Sequence, residues 1–219
     1  MEEVYTHIVL VLDRSGSMEA IKSDAIGGYN EFIKSQQAVP GKATFSLAQF
    51  NHNYDLVQDF VDLKNAKVLD NKNYQPGGTT ALLDAVGRTA LAVGERLSAL
   101  EQGARPGKVV FVILTDGMEN ASKDYTRDRI KEIIKEQQEI YKWQFVFLSS
   151  DIDSFHDAQK WGIPASNTLS MGATSESAKL AFASIGATLC SYRRGASANM
   201  GFSPADREKQ EKEKKKAPR

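Results

Sequence analysis

The sequence predicts a three-layer α/β/α sandwich built on a mostly parallel sheet with one antiparallel edge strand. Strand-like and helix-like segments alternate along the chain, which favours helices on both faces of such a sheet. The segments "HIVLVLD", "KVVFVILTD" and "WQFVFLSSD" are near-continuous apolar runs, the pattern of strands buried on both faces. A further pair, "ATFSLAQF" and "YDLVQDFVDL", alternates apolar with polar residues like half-exposed antiparallel strands.

Each element follows from its residues. His7–Asp13 is the first buried strand, and it ends on an acid. From Met18 to about Ala38 the apolar residues Ile21, Ala25, Tyr29, Phe32 and Ile33 fall at helical spacing, and "PGK" breaks the pattern. The link "NHN" predicts a hairpin near a sheet edge. "GGTTALLDAVGRTALAVGERLSAL" reads as a loop entering a long helix with Leu82, Ala85, Val86, Ala90, Val93 and Leu97 inside. The second buried strand, "KVVFVILTDG", also ends on an aspartate. "TRDRIKEIIKEQQEIY" is an amphipathic helix with Ile130, Ile133, Ile134 and Ile140 expected to face inward. The third buried strand ends on Asp151. A short helix (Phe155 to Trp161), a short strand around "NTLSM" and a helix from about Ser175 to Ser191 complete the series. Residues 1–200 thus form one domain. Residues 201–219 are charged and lack an apolar stripe, so they are expected to be disordered or a frayed, solvated helix.

Composition narrows the function classes. The chain has 219 residues, 41% hydrophobic and 26% charged, enough for a stable core without disulfides. Its 28 acidic and 28 basic residues cancel, so no global field favours nucleic acid or an anionic membrane. One cysteine, Cys190, permits no intrachain disulfide; its apolar neighbours Leu180, Ala183 and Ala187 predict a small buried residue. No signal peptide or membrane-spanning run is read at the acidic start "MEEVYTHIVLVLD" or elsewhere. The expectation is a cytoplasmic protein without nucleic-acid or membrane partners.

The chemistry gathers at the strand ends. In such a sheet ligands bind at the carboxyl edge, near a topological switch point. Three segments fall there: "DRSGS" (Asp13, Ser15, Ser17), "GGTT" (Gly77 to Thr80) and "TDG" (Thr115 to Gly117). Together they offer two carboxylates and three hydroxyls, all hard oxygen donors, with no histidine or cysteine. That set suits Mg²⁺ or Mn²⁺ rather than zinc or copper, and five protein oxygens leave a coordination position open. Other readings stand beside it. Ser15 and Ser17 could cap the following helix. A serine nucleophile would need a base, and neither His7, His52 nor His156 accompanies the segment in sequence. Asp151 reads as a helix-capping acid before it reads as a ligand. "NAS" (Asn120 to Ser122) fits a glycosylation triplet without any secretion signal.

D-x-S-x-S after the first buried strand, a G-G-T loop and a T-D-G after a later strand resemble the metal-ion-dependent adhesion site of von Willebrand factor A domains. The resemblance covers roughly residues 4 to 195, and "LDRSGSM", "GGTTALLDA" and "LTDGMEN" are most similar to intracellular bacterial and phage members. It implies a Rossmann-like sandwich. It also implies roles: Ser15 and Ser17 as direct ligands, and Thr79 as a third, direct or through water, with Thr80 as runner-up. Asp13 and Asp116 would act mostly through water and by accepting hydrogen bonds from the serines. Direct ligands that are neutral hydroxyls leave the ion's charge poorly neutralised and favour an incoming anion. The expected function is therefore a non-enzymatic, Mg²⁺- or Mn²⁺-dependent protein-interaction module. It would bind an Asp or Glu of a protein partner, such as an AAA+ ATPase of the MoxR or chelatase kind or a stress-response complex. The alternative is a Mg²⁺-dependent hydrolase using Asp13 or Asp116.

Overall fold

A computed structural model describes residues 4–172 and 174–216. Among these residues the sheet has six strands: β1 (Thr6–Asp13), β2 (Ala43–Phe50), β3 (Tyr54–Asp62), β4 (Lys108–Thr115), β5 (Gln144–Ser149) and β6 (Thr168–Ser170), in the order β3-β2-β1-β4-β5-β6. All neighbours are parallel except β2 and β3. The expected sandwich with one antiparallel edge strand is what forms.

Helices α1 (Lys22–Gln37), α2 (Leu82–Ser98), α3 (Arg127–Glu139), α4 (Ile152–Lys160), α5 (Ser175–Arg193) and α6 (Pro204–Lys216) flank it. Alternate residues of each central strand feed opposite cores. Ile8, Leu10 and Leu12 pack with Tyr29 and Phe32 of α1 and Phe182 and Ile185 of α5. Val9 and Val11 pack with Val86 and Ala90 of α2 and Ile130 and Ile134 of α3. This two-sided burial explains the unbroken apolar runs: beyond the partly exposed first residues Lys108 of β4 and Gln144 of β5, the strands β1, β4 and β5 are buried on both faces.

The edge strand departs from regularity where a buried polar cluster sits. The β2–β3 register shifts between Phe45 and Ala48, and Phe60 takes a left-handed φ of 49°. Ser46 Oγ accepts its N–H at 3.0 Å, and its ring stacks on His7 at 3.7 Å. His7 is fully buried, and burial pushes its imidazole down to about 3, so it is neutral.

The tail expectation is corrected. Residues 204–216 form α6, which docks on α5 and β6 through polar groups rather than an apolar stripe. Gln210 is buried: it accepts from the Ser177 hydroxyl and donates to the Ser177 carbonyl at 3.0 Å. Arg207 donates to the carbonyls of Thr168, Ala165 and Ser166 at 2.8–2.9 Å. Charged composition hid this because the segment's partners are main-chain carbonyls and the hydroxyls of Ser170, Ser177 and Ser184. The anchor lies just before the helix, where Met200 and Phe202 enter the core. Two single-residue expectations also fail. Ile140 lies just past the end of α3 and is 64% exposed. Cys190 is only half-buried, with its Sγ beside the Gln36 amide at 3.1 Å.

Candidate metal centre

β1 and β4 are in register, with Leu12 opposite Leu114. Asp13 therefore ends beside Thr115, and Asp116 follows at once. The sheet order reverses direction at this pair of strands, so both acids stand at the switch point. Asp13 is fully buried. Its Oδ2 accepts from the Thr115 hydroxyl and its Oδ1 from the Ser15 N–H, each at 2.6 Å. The Tyr74 hydroxyl donates to its main-chain carbonyl at 2.6 Å. Burial nevertheless raises the carboxyl to about 6, and the charge of Asp116 pushes the same way. Asp116 is itself raised, chiefly by burial, against the hydrogen bond from Ser17. Among the described residues neither acid is ion-paired with a Lys or Arg; the Arg14 guanidinium between them in sequence turns to Asp55.

Ser15 stands in extended conformation at the head of a 3-10 turn (Gly16–Ile21) and its hydroxyl makes no capping bond. The capping alternative is thus overturned. Its Oγ lies 3.1 Å from Ser17 Oγ, and Ser17 donates to Asp116 Oδ1 at 2.6 Å. The third hydroxyl is that of Thr80. A Cβ placed on Gly117 would stand 2.7 Å from Thr80 Oγ1, 3.2 Å from Ser15 Oγ and 3.4 Å from Ser17 Oγ. Three hydroxyls thus line a cradle over the side-chain-free face of Gly117, with the two carboxylates behind. Thr79, the expected ligand, is exposed, whereas Thr80 is buried. The correction has a plain cause. Gly78 adopts φ +78°, which turns the chain so that the second threonine points inward.

The glycines also seat the loop. The Gly78 carbonyl accepts from Gly16 N–H at 3.0 Å, and Gly77 N–H donates to the Arg14 carbonyl at 2.9 Å. The "GGTT" and "DRSGS" segments are therefore paired main chain to main chain. On the other side, the Ser150 and Ser154 hydroxyls donate to the carbonyls of Asp116 and Gly117 at 3.1 and 3.3 Å. Asp151 caps α4 by accepting the Ser154 N–H at 2.6 Å, as its capping reading required. His52, in the β2–β3 link, lies against Gly78: a Cβ there would meet its Nδ1 at 2.1 Å. Sequence distance hid that neighbour, and it hid Tyr74 and Thr115 as supports of Asp13.

The donors are hydroxyls and two carboxylates; among the described residues no group of three His, Cys, Asp or Glu side chains could hold a metal. Such a set fits a hard divalent cation, whose charge would offset one buried and one half-buried acid that lack a Lys or Arg partner among the described residues.

The von Willebrand factor type A domain model matches residues 7–159. The chain belongs to the von Willebrand factor type A domain family. No curated protein matches the sequence. Solved structures with the same VWA fold include proximal thread matrix protein 1 of the mussel byssus with a zinc-occupied MIDAS motif. It is 12% identical at TM-score 0.56, covering 83% of this chain and 47% of that one. A von Willebrand factor type A protein from Catenulispora acidiphila is 14% identical at TM-score 0.57, covering 84% and 42%. The pilus adhesin SpaC of Lactobacillus rhamnosus GG is 13% identical at TM-score 0.64, covering 88% and 31%. The VWA domain here thus spans less than half the length of these relatives' chains. Among the described residues no helix is long and apolar enough to cross a membrane.

Proposed function

We propose that this VWA domain is a non-enzymatic interaction module that binds a carboxylate of a protein partner through a divalent cation, Mg²⁺ or Mn²⁺. The observation that carries the reading is the cradle of three hydroxyls on Gly117 backed by the buried Asp13 and the half-buried Asp116, neither paired with a Lys or Arg among the described residues. Ser15, Ser17 and Thr80 would hold the ion, and Asp13 and Asp116 would orient those hydroxyls and supply charge. A bound cation would present a Lewis-acidic contact to a partner's Asp or Glu. The zinc in the mussel protein's MIDAS motif supports divalent occupancy of a site of this kind; hard oxygen donors favour Mg²⁺ or Mn²⁺ here. Met118, 54% exposed beside the cradle, offers the partner an apolar contact at the rim. An intracellular bacterial or phage setting, with an AAA+ ATPase or stress-response complex as partner, fits this reading.

Affinity capture with and without EDTA, using the wild-type chain and Asp13→Ala, tests it. The expected result is a partner lost under both treatments; a partner retained by Asp13→Ala sinks the metal reading. One observation favours the alternative hydrolase: the fold brings the His52 imidazole to the edge of the site. Turnover of simple phosphate esters with Mg²⁺, abolished by both Asp13→Ala and His52→Ala, would establish that alternative instead.

A further inference from the structure

Helix α2 begins without a cap of its own, since Ala81 offers no side-chain acceptor. Its free N–H groups are met from the loop that follows Asp116. Glu119 Oε2 accepts from Leu83 N–H at 2.9 Å and Ser122 Oγ from Asp84 N–H at 3.1 Å. In return, Asp84 accepts the N–H groups of Lys123, Asp124 and Tyr125 at 2.9–3.0 Å. The loop that carries the second acid and the helix start that carries Thr80 are thereby one body.

Within this clasp Asn120 acts on Thr80 itself. Its Oδ1 accepts the Thr80 N–H at 2.9 Å, and its own N–H donates to the Thr80 carbonyl at 3.0 Å. Both peptide groups of Thr80 are thus fixed from one residue. That sets the threonine's φ and ψ, and with them the direction of its Cα–Cβ bond. Thr80 precedes the helix, so capping α2 alone does not require this pair of bonds. Asn120 is also the first residue of the "NAS" triplet that had no other use.

We propose that Asn120 is a positioning residue of the metal site: by holding both main-chain groups of Thr80 it sets that hydroxyl against Ser15 and Ser17, so that metal affinity depends on it. The inference rests on the site's reading as metal-binding.

The test is calorimetric titration of the full chain with Mn²⁺ alone, paired with melting curves in EDTA. Outer-shell partners of this kind typically contribute 10–100-fold to metal affinity, so Asn120→Ala is expected to weaken Mn²⁺ about tenfold or more. Asn120→Asp keeps an Oδ acceptor and is expected to recover affinity to within about threefold of wild type. Ser122→Ala removes a cap bond of the same clasp without touching Thr80. It is expected to lower the melting temperature in EDTA and to leave affinity within about twofold. Wild-type affinity in Asn120→Ala overturns the proposal. So does Asn120→Asp as weak as Asn120→Ala, or a loss in Ser122→Ala as large as that in Asn120→Ala. If the wild-type chain binds no more Mn²⁺ than Asp13→Ala, the metal reading falls and takes this inference with it. Wild-type binding with an unaffected Asn120→Ala removes the inference alone.

Discussion

At the scale of single residues, Thr79 and Thr80 have the same side chain and differ only in what they face. Thr80 Oγ1 joins the serine hydroxyls and Thr79 is exposed. Thr80→Ala is therefore expected to weaken Mn²⁺ binding at least tenfold, and Thr79→Ala to leave it unchanged, in parallel calorimetric titrations. Equal losses would show that the second threonine is not the privileged one. Two buried titrating groups make a second prediction. His7 titrates at about 3 folded against 6.5 unfolded, so its contribution to stability is present above 6.5 and lost as pH falls towards 3. Asp13 titrates at about 6 folded against 3.8 unfolded in the metal-free chain. Its contribution is present below 3.8 and lost as pH rises through 6. Between pH 4 and 6 the two slopes oppose each other, each about 1.4 kcal/mol per pH unit. Asp13→Asn removes one of them. Urea unfolding in EDTA should show that variant losing stability on acidification more steeply than wild type by about that slope. Parallel curves would refute the raised carboxyl.

At the scale of elements, α6 shows how a helix docks without an apolar face. Its 13 residues bury only Gln210, and the contacts are amide, guanidinium, ammonium and carboxylate groups on carbonyls and serines. A helix held this way depends on each buried polar group keeping its partner. Gln210→Ala leaves the buried Ser177 O–H without its acceptor and removes a donor to the Ser177 carbonyl, and is expected to cost about 1–3 kcal/mol, read as a lowered urea midpoint. An unchanged midpoint would mean the helix contributes nothing to the domain's stability. The connection from β3 to the "GGTT" loop shows the same economy. Side-chain amides stand in for strand neighbours: Gln58 meets both main-chain groups of Lys67, and Asn30 both of Leu69. A long loop is thus led along a fixed route to the site.

At the scale of the whole molecule, zero formal charge leaves the local site to decide binding. A ligand held only by the folded state stabilises it by mass action, about 2.7 kcal/mol at a hundred times its Kd. For a domain of this size that corresponds to a rise in melting temperature of roughly 5–10 °C. Excess Mg²⁺ or Mn²⁺ should produce such a rise in the wild type. Asp13→Ala should remain folded in EDTA and show no rise. A rise of equal size in Asp13→Ala would place the ion elsewhere.

The sequence by itself determined the mostly parallel sheet with helices on both faces, and it placed Asp13, Ser15, Ser17 and Asp116 at strand ends as candidates for one site. Burial on both faces of β1, β4 and β5 demands continuous apolar runs, and the motifs "DRSGS" and "TDG" lie directly at strand ends. These features are local, so spacing along the chain carries them. Tertiary structure alone decided which threonine turns inward, that Ser15 does not cap its turn, that Asn120 grips Thr80, and that a charged tail folds onto β6. Each depends on a dihedral angle or on a partner many residues away: the left-handed Gly78, the neighbouring end of β4, a carbonyl in the β5–β6 connection. Side-chain chemistry in sequence shows which groups are available; only the packed chain shows which of them meet.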